Sequence, residues 1–115
     1  MGTIKKNRQK GIPENIKKQV DGIVRRFNEE SIGDPNRFYV THYRGNYLYI
    51  NRSCWGNVDP ICRLKFNGKI DNWDFAIYKY SSGSYDPEEW FFPGEEFVDG
   101  TVEGAMKAGM EAYPD

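Results

Sequence analysis

The sequence predicts an α+β two-layer sandwich: a four-stranded antiparallel meander with an N-terminal and a C-terminal helix on one face, in the order α-β-β-β-β-α. Three observations carry this. Apolar residues recur at three- and four-residue spacing over 16–27. Two alternating runs, 37–52 and 61–80, are each broken by a short Gly/Asn turn signal. A final segment, 101–113, is made of small residues behind a threonine suited to capping.

The first helix is read from the stripe Ile16, Val20, Ile23, Val24 and Phe27, with Lys17, Lys18, Arg25 and Arg26 off that stripe on a solvated side. Pro13 suits its first turn and Glu14 its positive dipole end, while Gly33, Asp34 and Pro35 stop it.

The run 37–52 admits two registers. A two-residue turn at Gly45-Asn46 would mix apolar and polar side chains on both faces. A three-residue loop with Gly45 left-handed pairs Tyr43 with Tyr47 and Val40 with Ile50. It groups Phe38, Val40, His42, Leu48 and Ile50 against Tyr39, Thr41, Tyr43, Tyr47, Tyr49 and Asn51, and is the expected register.

In 61–80 the pair Asn67-Gly68 is the strongest hairpin signal in the chain. A two-residue turn there would set Phe66 opposite Lys69, Leu64 opposite Asp71 and Cys62 opposite Trp73. Cys62, Leu64, Phe66, Trp73, Phe75 and Ile77 then share the core face. Arg63, Lys65, Asn72, Asp74, Ala76, Tyr78 and Tyr80 share the other.

Between these hairpins, 53–60 reads as a connector of turn formers around Cys54 and Trp55. After them, 81–100 is a long loop holding Tyr85, Trp90, Phe91, Phe92 and Phe97, with a short strand expected at 89–92. So many aromatics must pack somewhere. In the last helix Gly104 and Gly109 each cost about 1 kcal/mol against alanine, which predicts a backbone pressed closely onto the sheet.

At 115 residues with 38% hydrophobic and 29% charged content, the chain is expected to be one soluble globular domain over 12–115, preceded by a basic tail over 1–11. No apolar run approaches the ~20 residues of a membrane span, and no signal peptide is legible, so a cytoplasmic protein is expected. Cys54 and Cys62 are then reduced thiols, one in a loop and one in the core. The net charge of −1 hides an asymmetry: fourteen Lys/Arg against six Asp/Glu in 1–69, two against eleven in 70–115. Two parts of one fold that attract each other explain this most simply.

For function, the predicted face opposite the helices carries Tyr39, Tyr43, Tyr47, Tyr49, Tyr78 and Tyr80 with Arg63 and Lys65, and these eight are the candidate ligand-binding residues. They predict a small non-enzymatic binding or interaction domain that uses this face, or its seam with the acidic loop. Single-stranded nucleic acid is the sharper alternative, with bases on the rings and phosphates on the cations. A protein partner, including a homodimer through the oppositely charged halves, is another. The segment 90–92 is the element placed to cover the face, its acidic neighbours drawn to Arg63 and Lys65. A small enzyme using Cys54 as nucleophile and His42, the lone histidine, as base lacks any supporting signature. Neither a phosphate-cradling glycine loop nor a metal-ligand spacing occurs, so no cofactor or metal is expected.

Overall fold

The computed structural model describes residues 11–114. The N-terminal basic tail expected over 1–11 lies, apart from Gly11, outside the described residues. Helix α1, Glu14–Arg26, starts behind Pro13, whose carbonyl accepts the Ile16 and Lys17 N–H groups. It buries Ile16, Val20 and Val24 of the predicted stripe, with Ile23 half-buried against the same core and Phe27 buried in the turn that follows. The helix then widens into a π-helical turn, Phe27–Ile32, and ends at Gly33 in the left-handed region (φ 65°), as the Gly-Asp-Pro sequence requires.

The sheet is antiparallel and strictly sequential: β1 Arg37–Arg44, β2 Tyr47–Cys54, β3 Asn57–Lys69, β4 Asn72–Lys79 and β5 Ser84–Asp86, in the order β1-β2-β3-β4-β5. The α+β two-layer class therefore holds, with five strands in place of four. The additional strand lies at 84–86 and not at 89–92, because Ile77, Tyr78 and Lys79 pair with Asp86, Tyr85 and Ser84.

The first hairpin takes the register that burial arguments had rejected. Arg44 pairs with Tyr47 across a two-residue Gly45-Asn46 turn, with Gly45 at φ 59° and Asn46 not in the left-handed region. Tyr39, Thr41 and Tyr43 consequently join Leu48 and Ile50 on the helix side, and Phe38, Val40 and His42 face away. The misplaced tyrosines are tolerated inside because their hydroxyls find partners. Tyr39 donates to the Met106 carbonyl at 2.8 Å, and Tyr43 lies 3.1 Å from an Asp21 carboxylate oxygen.

The segment 53–60 is no loop. β2 runs to Cys54, Trp55 (φ 52°) and Gly56 (φ 90°) form a two-residue turn, and β3 begins at Asn57. Pro60, which has no N–H to donate, marks a bulge: Ile50 faces Cys62 while Asn51 faces Pro60. The extra residue lets both Ile61 and Cys62 be buried.

The Asn-Gly pair does not make the second turn. β3 runs through it with Gly68 at φ 96°, and the chain reverses at Ile70-Asp71. Leu64 thus pairs with Phe75, Phe66 with Trp73 and Cys62 with Ile77. This offset of four positions is even, so every residue keeps its predicted face. Two bonds hold the reversal: the Trp73 indole donates to the Ile70 carbonyl at 2.7 Å, and the Trp73 N–H to Gly100 at 3.0 Å.

Helix α2, Val102–Ala112, is capped as expected by Thr101, whose hydroxyl accepts the Gly104 N–H at 2.9 Å. A Cβ on Gly109 would come 2.6 Å from both Ile61 Cγ2 and the Tyr39 hydroxyl, so the small face is a close approach to the sheet. Both helices cover the side that carries Tyr39, Leu48, Leu64, Phe75 and Ile77.

Candidate functional site

With both helices on one side, the other side of the sheet carries Phe38, Val40, His42 and Arg44 from β1, and Tyr47, Tyr49, Asn51 and Ser53 from β2. It also carries Arg63 and Lys65 from β3, Asp74, Ala76 and Tyr78 from β4, and Tyr85 from β5. The segment 90–92 was the element expected to cover it, and Phe92 goes to the other side. Phe92 stacks on Phe75 with centroids 5.7 Å apart, on the helix side, and Gly94 presses against Ala108 of α2. The acidic segment is drawn to Lys79 rather than to Arg63 and Lys65: Lys79 Nζ sits 2.9 Å from Glu89 and 3.8 Å from Asp86. That bond to Lys79 holds the Glu89 carboxyl below the usual carboxylate range, helped by the Phe91 N–H. Phe91 itself projects into solvent, 93% exposed.

Across the open face runs a row of rings. His42 stacks on its cross-strand partner Tyr49 with centroids 4.6 Å apart and planes 3° from parallel. Tyr49 meets Tyr85 edge to face at 5.4 Å, Tyr85 meets Tyr78 at 5.1 Å, and Tyr78 meets Tyr80 at 4.9 Å. Tyr113, after α2, packs against the core and meets the end of the row at Tyr80, 5.3 Å away. Ala76 lies on this face and is buried. Being small, it lets the β5 tyrosine lean toward β2. The Arg63 guanidinium sits between two rings, 4.5 Å from the Tyr47 centroid and 5.3 Å from that of Tyr85. Burial pushes the Tyr85 phenol up to about 12 in spite of the Arg63 charge, so the ring is neutral across the physiological range. Beside Arg63, a cleft of 160 Å³ is framed by Tyr47, Lys65, Asp74, Ala76 and Pro87, the point where the acidic loop meets this face.

Of the eight predicted site residues, Tyr47, Tyr49, Arg63, Lys65 and Tyr78 occupy the open face, and Tyr80 extends it, donating to the Pro60 carbonyl at 2.9 Å. Tyr39 and Tyr43 do not belong. Tyr39 is 2% exposed, and burial together with the neighbouring Asp21 carboxylate raises the Tyr43 phenol well above its usual value. Two members were missed. The register expected for the first hairpin puts His42 in the core, and the long loop expected over 81–100 hides Tyr85. Tyr85 had a legible signal, the Ser-Ser-Gly turn after Lys79 that starts a further hairpin.

The Cys54–His42 pair is not assembled. His42 pairs with Tyr49 on the open face, while Cys54 pairs with Arg37 on the helix side, about 16 Å further along β2 at a rise of ~3.3 Å per residue. Both cysteines are free thiols; Cys54 is in a strand, not a loop, and burial pushes the Cys62 thiol up. Among the described residues no group of three or more His, Cys, Asp or Glu could hold a metal ion, and no helix is long and apolar enough to cross a membrane. No protein-family model, curated protein or solved structure matches the chain.

The face can therefore offer ring surface and cation together. Among the described strand residues, Arg44, Arg63 and Lys65 stand there against one carboxylate, Asp74. Such a surface can stack planar groups and pair with anions.

Proposed function

We propose that this protein is a non-catalytic binding domain that takes single-stranded nucleic acid on the open face of its sheet. The observation that carries the reading is the uncovered row of rings with Arg63 held between Tyr47 and Tyr85. Bases stack on Tyr49, His42 and Tyr78; Arg63 and Lys65 meet the phosphates beside the 160 Å³ cleft. Specificity for one base order is not required, since every base has a π-face.

Fluorescence polarisation of labelled ten-nucleotide oligo-dT and oligo-U at two salt concentrations tests it. Binding should weaken steeply with salt, because phosphate contacts release counterions. Tyr49→Ala should cost about 1–3 kcal/mol of affinity per base stacked, roughly 5- to 150-fold. Arg63→Ala should lower the salt slope by about one. Salt-independent binding, or an unchanged affinity in the Tyr49→Ala/Arg63→Ala variant, would remove the reading.

A protein partner is the second reading, favoured by the other end of the same face. There Phe38, Val40 and Val58 lie near the turn that exposes Trp55, with Val58 56% and Trp55 71% accessible. A partner bound at that end would be lost in Trp55→Ser and unaffected by Arg63→Ala.

A further inference from the structure

The outer edge of β1 offers a second, separate surface. In an antiparallel strand alternate residues turn their peptide groups to one side. Asn28, in the π-helical turn, settles which ones face outward: its amide oxygen accepts the Tyr39 N–H at 2.8 Å and its amide nitrogen donates to the Tyr39 carbonyl at 3.0 Å. Asn28 thus imitates one residue of a neighbouring strand. Arg37 is closed off in the same way, its N–H donating to the Asp34 carbonyl at 3.2 Å. By the same parity Thr41 and Tyr43 point their N–H and C=O groups outward, and among the described residues no backbone hydrogen bond meets them on that side.

Beside this open stretch lies a groove of 650 Å³ between α1 and β1. Its lining includes Val24, Tyr39 and Thr41 on the helix side; its rim carries Asp21, Glu29 and Asp34 against a single cation, Arg25.

We propose that the β1 edge is a strand-addition site for an extended, basic peptide segment of a partner protein. The peptide backbone pairs with Thr41 and Tyr43, an apolar side chain enters against Val24, and flanking Lys or Arg side chains meet Asp21 and Glu29. Strand addition supplies main-chain bonds, and the pockets for alternate side chains supply selectivity. The charge of the rim chooses the occupant. A second copy of this chain would bring another acidic rim against the first, and a nucleic acid would bring phosphates to three carboxylates. The clamp at Tyr39 also limits the added strand to a few residues, which suits a peptide rather than a whole sheet edge.

The probe is a fluorescein-labelled nine-residue peptide alternating lysine with valine, titrated into the full chain at low salt. Saturable binding is expected, together with slowed amide exchange at Thr41 and Tyr43. Glu29→Lys should weaken it at least tenfold, and Arg63→Ala, on the other face, should leave it unchanged. Thr41→Pro removes one edge donor. Should that variant fold poorly, the same peptide N-methylated at alternate residues removes the matching donors from the ligand side. Failure of the lysine peptide to bind, equal binding of its N-methylated form, or equal binding of a glutamate-for-lysine peptide would each overturn the proposal.

Discussion

Tyr39 and Tyr43 on the covered face of the sheet turn their hydroxyls to the Met106 carbonyl and the Asp21 carboxylate. Tyr47, Tyr49 and Tyr85 on the open face meet other rings and the Arg63 guanidinium. One residue type thus serves as core in β1 and as surface in β2 and β5. What separates the two roles is the register of one hairpin. A slip of one residue exchanges the faces of a whole strand, whereas the slip of four in the second hairpin exchanges nothing. Faces are robust to even errors and defenceless against odd ones.

The largest expected effect compares two tyrosines. Tyr39→Ala should destabilise the protein by about 3–5 kcal/mol, as large-to-small core changes of aromatic residues do. Tyr49→Ala should cost under ~1 kcal/mol, as an open-face change with no buried partner to orphan. Urea unfolding of both measures the difference, and equal losses would mean that the open face is a second core.

Next come two helical glycines. Gly109 of α2 has Ile61 and the Tyr39 hydroxyl where a Cβ would go, so Gly109→Ala should cost about 1–3 kcal/mol through overpacking. Gly22 of α1 has nothing within 4 Å, so Gly22→Ala should stabilise by about 1 kcal/mol. Thermal melts of the two variants should therefore move in opposite directions.

The smallest effect concerns the loop that was expected to cover the open face. Glu89 has a lowered carboxyl because Lys79 bonds it. Its contribution is complete above the ordinary carboxylate value, about 4.3, and is lost as pH falls through the lower folded value. Lys79 is raised by the same bond, so its share is lost only in strong alkali. Acid titration of stability should flatten slightly in Glu89→Gln, with no change near neutrality.

Much of the candidate site was legible because it depends on alternation alone. Arg63, Lys65 and Tyr78 follow from the core face of Leu64, Phe75 and Ile77, whichever residues make the turn. His42 was lost because ranking side chains by hydrophobicity sends Val40 and Phe38 inward. That ranking fails where a phenol can bury its ring and still reach a carbonyl. Tyr39 does so with a residue 67 positions away, a partner that no window of sequence reveals.

Local signals were sufficient wherever neighbours in the chain supply the energy: the stripe of α1, the stop at Gly33, the Thr101 cap and the small face of α2 all stand as read. Packing between distant segments settled the rest. Trp73, bonded to Ile70 and Gly100, moved the reversal off Asn-Gly, and Phe92 on Phe75 drew the aromatic loop to the helix side. A turn propensity is worth about 1 kcal/mol, less than burying a Trp or Phe in a core, so distant packing prevails wherever the two disagree. The open row of tyrosines is the consequence: its residues are written in the chain, and its exposure depends on where Phe92 went.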